Sequence, residues 1–125
     1  MRIYVAGSQH DWPRARHVMD ELTRRGHVIS HDWTCEVEDH ATTPATPEEL
    51  IHYAKLDLAG VQTAHIVLCL TPERKDWGRG LWTEMGIGLA LNKRVIVTGP
   101  GRDWNIFASL CERYSTDEEG IGACG

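Results

Sequence analysis

Glu84 stands in a run of apolar and small residues, Gly80-Leu81-Trp82-Thr83-Glu84-Met85-Gly86-Ile87-Gly88. The run reads as a helix that begins near Gly80, which puts Glu84 in about its first turn. There the helix dipole holds a carboxylate ionised. An ionised, partly desolvated carboxylate is what a displacement at a sugar carbon asks of its nucleophile. The plainer alternative is a solvated glutamate of the kind common near helix starts. Gly86 and Gly88 bear on the choice, because an interior glycine costs about 1 kcal/mol relative to alanine. A chain accepts that cost where a strand, another subunit or a ligand comes close to the backbone. Asp57 is the second carboxylate of interest. It falls on the apolar face formed by Leu50, Ala54, Leu58 and Val61 of another helix. A carboxylate there is costly unless it is paired, hydrogen-bonded or lines a cavity. It is either a buried acid bonded to backbone amides or an arginine, or a ligand-binding acid on a cleft floor. Gly7-Ser8 follows the first apolar run, where a turn can offer N–H groups and a hydroxyl to a phosphate or a sugar hydroxyl. An ordinary tight turn is the alternative.

These groups need elements to position them. Residues 2–6 are β-branched and aromatic and end at Gly7, the pattern of a strand and its turn. Asp11 and Pro13 open a helix whose apolar stripe is Ala15, Val18, Met19 and Leu22, and Gly26 closes it. Val28-Ile29 gives a second strand, and the aperiodic stretch from Trp33 to Ala45 reads as a loop. At that length it invites a functional role, and Trp33, Asp39 and His40 are its candidates for contacting a ligand. Thr46-Pro47-Glu48-Glu49 is a capping box for a helix running to about Gly60. Residues 64–70 form a near-continuous apolar strand, of the kind buried on both faces of a parallel sheet. A polar loop (71–79), a helix (80–92), a strand (94–98) and a short helix (105–110) follow. Together they predict a single-domain α/β chain over residues 1–114: a flavodoxin- or Rossmann-like three-layer sandwich on a mostly parallel sheet of four or five strands. Residues 115–125 are expected to be a polar, partly disordered tail. In such a sheet the ligand lies beyond the carboxyl ends of the strands, where the loops after Gly7, Leu70 and Thr98 meet.

Composition removes several functions. The chain has 125 residues, a net charge of −5 and 42% apolar residues, enough for one real core. The acidic balance and the lack of a basic run argue against nucleic-acid coating. Its longest unbroken apolar run, Ile66 to Leu70, is far below the ~20 residues of a membrane span. Without an apolar leader the expectation is a cytoplasmic protein. Cys35, Cys69, Cys111 and Cys124 have no CxxC spacing and are expected to be reduced thiols. Seven histidines include no HExxH, so no metal site is expected. Neither GxGxxG nor a Walker lysine occurs, and no cofactor is implied.

Taken in order, these residues resemble the nucleoside 2-deoxyribosyltransferase-like family, which includes the 2′-deoxynucleoside 5′-monophosphate N-glycosidases. The likeness runs from Ile3 to about Phe107. Ile3-Tyr4-Val5-Ala6-Gly7-Ser8 is similar to its first strand and turn. Leu56-Asp57-Leu58-Ala59-Gly60-Val61 and Ala64-His65-Ile66-Val67-Leu68 are similar to its D-x-x-x-I/V…A-D-I-V segment, with His65 where Asp is usual. Glu84-Met85-Gly86-Ile87-Gly88-Leu89-Ala90-Leu91-Asn92-Lys93-Arg94-Val95-Ile96-Val97 is similar to its E-x-G-x-A-x-A-x-x-K-x-V-x-V block, the most specific part. By that resemblance Glu84 is the nucleophile at the anomeric carbon and Tyr4 orients its carboxylate. Asp57 contacts the base or protonates its leaving nitrogen. Gly7 and Ser8 hold the sugar 5′ end or its phosphate, together with the approach loop Gly78, Arg79 and Gly80. Asn105 serves the site of a neighbouring subunit, which implies a homo-oligomer. For Tyr4 the residues alone leave a second reading, a strand tyrosine packed under a helix.

The family places Gly two residues before the glutamate, where this chain has Trp82. Six residues before it the family places an acid or a serine, where this chain has Gly78. The residue that separates nucleoside from monophosphate use is therefore missing from its usual place. The implied function is cleavage of the N-glycosidic bond of a 2′-deoxynucleoside or its 5′-monophosphate. The sugar passes to another base or, alternatively, to water. Two rivals remain from the sequence. One is a phosphoribohydrolase, which would want a PGGxGT-like stretch that 77–84 half provides. The other is a non-catalytic nucleotide sensor, favoured if Trp82 fills the space beside Glu84.

Overall fold

A computed structural model describes residues 1–125. Five parallel strands, β1 (Arg2–Gly7), β2 (Val28–Ile29), β3 (Ile66–Leu70), β4 (Arg94–Thr98) and β5 (Glu112–Tyr114), form one sheet in the order β2-β1-β3-β4-β5. Between them run α1 (Trp12–Arg24), α2 (Thr34–Asp39), α3 (Pro47–Thr63) and α4 (Arg79–Ala90), and α5 (Asp117–Cys124) ends the chain. This is the doubly wound flavodoxin-like arrangement the sequence predicts. Its topological switch point lies between β1 and β3.

Strand register assigns the faces. Tyr4 pairs with Val67 and Val67 with Val95, so these three share one face, and Gly88 of α4 sits on it. A Cβ at Gly88 would stand 3.0 Å from Val67 and 3.2 Å from Val95, so that glycine lets α4 press onto the sheet. Gly86 is different: nothing in the chain lies within 4 Å of where its Cβ would be. Val5, Leu68 and Ile96 form the opposite row, which α1 and α5 cover, with Gly120 seated on Thr98 and Leu68. The stripe Ala15, Val18, Met19 and Leu22 is buried as its spacing requires, and Gly26 ends α1 at φ +92°. Both bonds of the Thr46–Glu49 capping box are made.

The structure corrects the sequence reading at four places. Residues 33–45 are not all loop, because Thr34–Asp39 forms α2, started by Asp32 accepting from the backbone and hydroxyl of Thr34. Residues 115–125, expected to be a partly disordered tail, carry α5, with a second complete capping box at Thr116 and Glu119. Strand β5, the fifth of the four or five strands expected, lies at residues the sequence reading leaves unassigned and is tied to β4 by the Arg94–Glu112 ion pair. Finally, the stripe Leu50, Ala54 and Leu58 does not face the core. All three are exposed, and α3 buries only Gly60 and Val61. No helix is long and apolar enough to cross a membrane.

Candidate active site

A cleft of about 820 Å³ opens over the carboxyl end of β1, between α2, α3 and the loop leading into α4. That size suits a drug- or nucleotide-sized ligand. Gly7 and Ser8 line it from the first strand's turn, Asp57 from α3, and Gly78, Arg79, Gly80 and Glu84 from the start of α4. The switch-point rule and the sequence therefore meet at one place. Asn105 does not join them. Its side chain accepts from the N–H of Phe107 and caps the 3-10 turn at 106–110.

Glu84 is the most deeply set acid of the group. It lies in the second turn of α4 rather than the first, so burial and not the helix dipole governs its charge. Burial pushes its carboxyl up to about 8, with the charges of Asp57 and Glu36 adding to the rise. The hydroxyl of Tyr4, donating to Oε2 of Glu84, works against it. Tyr4 is fully buried, and burial followed by the negative charge of Glu84 drives its own phenol far above the ordinary range. It is thus a fixed donor that aims one oxygen of Glu84 and leaves the other free. Gly60 makes this contact possible, since a Cβ there would lie 2.8 Å from the Tyr4 ring and 3.0 Å from Cβ of His31. Glycine at 60 lets α3 close over the phenol and sets Asp57, one turn earlier, at the cleft.

Asp57 is half-buried, and its Oδ1 has no hydrogen-bond partner. Burial first, then the charge of Glu36, raises its carboxyl to about 6, while His31 pulls it down. Neither backbone amide nor arginine satisfies it, so of the two sequence readings the cleft-floor acid is the one that fits. Nε2 of His31 lies 2.8 Å from Oε1 of Glu36 and 3.5 Å from Oδ1 of Asp57. These three side chains put ligand atoms within 4.8 Å of one another, the spacing a cation would need. The short His31–Glu36 contact already closes the group as a hydrogen bond.

Sequence reasoning missed Glu36, His31, Tyr53 and the His10–Trp77 stack at the cleft rim. His31 and Glu36 belong to the loop after β2 and a one-and-a-half-turn helix, where no periodicity marks a site. Trp33 has a structural duty. Strand β2 pairs only with Arg2 and Ile3 of β1, and the Trp33 indole N–H satisfies the carbonyl of Val5 beyond it, at 2.7 Å. His40 lines the cleft but is held by Thr43 and Tyr53, and Asp39 is not part of the wall. Trp82 is partly buried against the core and does not line the cleft, so it does not fill the space beside Glu84. His65, where the resembled family has Asp, accepts from the N–H of Arg2 and ties β1 to β3. Gly78, at φ +88°, is the N-cap of α4 and brings no side chain, so the first N–H groups of that helix lack a side-chain cap beside Arg79. Arg79 is exposed and makes no ion pair.

Neither the family models nor the curated proteins give a match to this sequence. Solved structures do. The chain is similar to a 2-deoxyribosyltransferase from Bacillus psychrosaccharolyticus at 19% identity, with 95% of this chain and 89% of that one covered and a TM-score of 0.67. It is also similar to a CMP N-glycosidase from Clostridium botulinum at 12% identity, covering 99% and 98% of the two chains with a TM-score of 0.58. At these identities the likeness establishes a shared fold across nearly the whole chain.

Proposed function

We propose that the protein is an enzyme that cleaves the N-glycosidic bond of a 2′-deoxynucleoside or its 5′-monophosphate and passes the sugar to another base. One observation carries the reading: two uncompensated carboxyls, Glu84 and Asp57, face one cleft, and a buried tyrosine aims the first. Glu84 attacks C1′ and forms a glycosyl-enzyme as the C1′–N bond breaks, its electron pair leaving with the base. Asp57 supplies the proton the departing base needs. An incoming base, or water in the alternative hydrolysis, then displaces Glu84 and frees the sugar. No metal or cofactor is required for either half. That both fold relatives are named for N-glycosidic chemistry supports the reading.

Ser8 and the uncapped start of α4 suit the sugar 5′ end, and Arg79 beside them suits a 5′-phosphate. The protein acts as a homo-oligomer in this proposal. Leu50, Ile51 and Leu58 on α3, and Ile106, Phe107 and Leu110 beside Asn105, are exposed apolar side chains that a second copy would cover. Asn105, which does not line its own cleft, then serves the neighbour's. Mixing Glu84→Ala with Asn105→Ala subunits tests this: partial recovery of activity is expected, and none is expected if Asn105 acts only within its own chain.

The primary test is chromatographic. The protein is incubated with deoxy- and ribonucleosides and their monophosphates, with and without an acceptor base, beside Glu84→Ala. Free base or a new nucleoside is expected from the native protein and not from the variant. Binding without product in every lane would sink the enzymatic reading in favour of a sensor.

A further inference from the structure

We propose that His31, steered by Glu36, is a positioning residue of this site that delivers to Asp57 the proton Asp57 hands to the departing base. The proposal rests on the N-glycosidic reading above and adds the source of its proton. Its ground is geometric. Nε2 of His31 stands between two carboxylates, 2.8 Å from Glu36 and 3.5 Å from the buried, unpartnered Oδ1 of Asp57. Nδ1 carries no protein hydrogen bond, so the ring has one nitrogen turned to the acids and one left for water. Glu36 fixes the ring, and a small tilt takes Nε2 to hydrogen-bonding distance of Asp57. His31 also lies close against α3, where a Cβ at Gly60 would stand 3.0 Å from the His31 Cβ.

The site needs such a supplier. Asp57 is faced by Tyr4 from β1, Glu84 from α4, Glu36 from α2 and His31 from the loop after β2, with Arg79 farther along the cleft. Tyr4 is a locked donor to Glu84, and Glu84 must lose a proton rather than give one to the base. Burial raises Glu84 to about 8 and Asp57 to about 6, so at neutral pH a proton sits on Glu84 in preference to Asp57, the wrong carboxyl for leaving-group protonation. His31 is the one basic side chain within reach of Asp57, and its Nδ1 is left free for water.

The protons balance over a full cycle that begins with Glu84 ionised, its proton given up to the cleft water, Asp57 protonated and His31 an imidazolium. In the first half the C1′–N bond breaks and its electron pair stays on the base, which takes the Asp57 proton. Asp57 takes the Nε2 proton of the imidazolium, leaving neutral His31 protonated on Nδ1. In the second half the attacking base or water gives a proton to Asp57 and through it to Nε2.

The test compares His31→Gln with the native protein on two leaving groups. One is whichever nucleoside or monophosphate the native protein cleaves best. The other is the 4-nitrophenyl glycoside of the same sugar, whose leaving group departs without a proton. His31→Gln is expected to lose about 10²-fold in kcat/KM on the natural base and to stay within about threefold on the nitrophenyl compound. The lower limb of its pH profile is expected to move up, because His31 no longer favours the Asp57 carboxylate. Glu36→Gln keeps the ring but frees it. It is expected to show the same leaving-group dependence with the lower limb moved down, since the Glu36 charge raises Asp57. Equal losses on both compounds with unmoved limbs, or no loss at all, would overturn the proposal and leave His31 a packing residue. No turnover by the native protein on any compound would overturn the N-glycosidic reading itself, an outcome distinct from the first two.

Discussion

Asp117 and Asp57 lie at similar depth on opposite sides of one sheet, with side chains 20% and 32% exposed, and their charges have opposite fates. At Asp117 burial alone would raise the carboxyl. Arg14 outweighs that by donating from Nε and Nη2 at 2.7 and 2.8 Å, Thr98 adds a hydroxyl at 2.7 Å, and the result is a carboxyl held below its usual range. At Asp57 no arginine comes, Glu36 adds a second negative charge, and the carboxyl rises to about 6. Arg14 also donates to the carbonyl of Thr71, so the Asp117 network ties α1, α5 and the end of β3 together. Burial does not decide what an acid is for; its partners do. One face of the sheet spends its charges on holding the chain together, and the other leaves them raised over a cleft.

The largest test of that contrast is to remove the deepest raised acid. Glu84→Gln keeps the shape and the bond from Tyr4 but removes the nucleophile. Base release is expected to fall by about 10³-fold or more, with melting temperature unchanged or higher. A variant that retains a tenth of native activity would assign the nucleophile elsewhere.

On the other face, Asp117→Asn removes the partner of a largely buried guanidinium. The expected loss is about 2–3 kcal/mol of stability, read as a melting temperature lower by roughly 5–10 °C. Because the folded Asp117 titrates below its unfolded value, its stabilisation is complete above pH 4 or so and fades as pH falls below that. The variant's deficit should therefore shrink in acid. Turnover per folded molecule is expected to be unchanged, which a combined melting and kinetic measurement checks.

Tyr4→Phe acts between these extremes. It keeps the buried ring and deletes the donor that opposes the rise of Glu84. A tenfold to hundredfold lower kcat is expected at neutral pH, the size of one hydrogen bond to a charged group, with KM nearly unchanged. The upper limb of the pH profile, expected near 8 for the native protein from the raised Glu84 carboxyl, is expected to move higher. A raised KM with kcat unchanged would make Tyr4 a packing residue.

The same contrast explains what could be read before the structure. The sheet was legible because a strand buried on both faces of a parallel sheet is an unbroken apolar run, as 66–70 and 95–97 are. The helix starts at 46 and 79 carry local signals, a capping box and a glycine. Glu84 and Asp57 were legible as acids in apolar company. The reason given for Asp57 was wrong in part, since Leu50, Ala54 and Leu58 face outward rather than into the core. Spacing shows that residues share a helix face and not what covers that face. His31 and Glu36 were invisible because they meet Asp57 only through the tertiary approach that Gly60 permits. Helix α5 carries a local signal, the Thr116–Glu119 capping box, but Gly120 and Gly122 weaken its helical pattern, and strand β5 is three residues long with its anchor, Arg94, on another strand.

Asp57→Asn gives the finest test, since its sign is opposite to that of Asp117→Asn. A carboxyl raised from 3.8 to about 6 on folding binds its proton more tightly in the folded chain than in the unfolded one. Its contribution to stability is therefore greatest in acid and is lost as pH rises through about 6, where the folded chain must hold an ionised, uncompensated acid. Asparagine carries no charge to hold. At pH 8 the variant is expected to be more stable than the native protein by about 1 kcal/mol, discounted for the side chain's partial exposure, or roughly 3–5 °C in melting temperature. Below pH 4 the two should melt together. Activity on natural bases is expected to fall in the same variant, the trade expected where a site keeps an acid the fold would rather be without. If Asp57→Asn instead destabilises the chain at pH 8 as Asp117→Asn does, both aspartates are structural and the cleft loses its second acid.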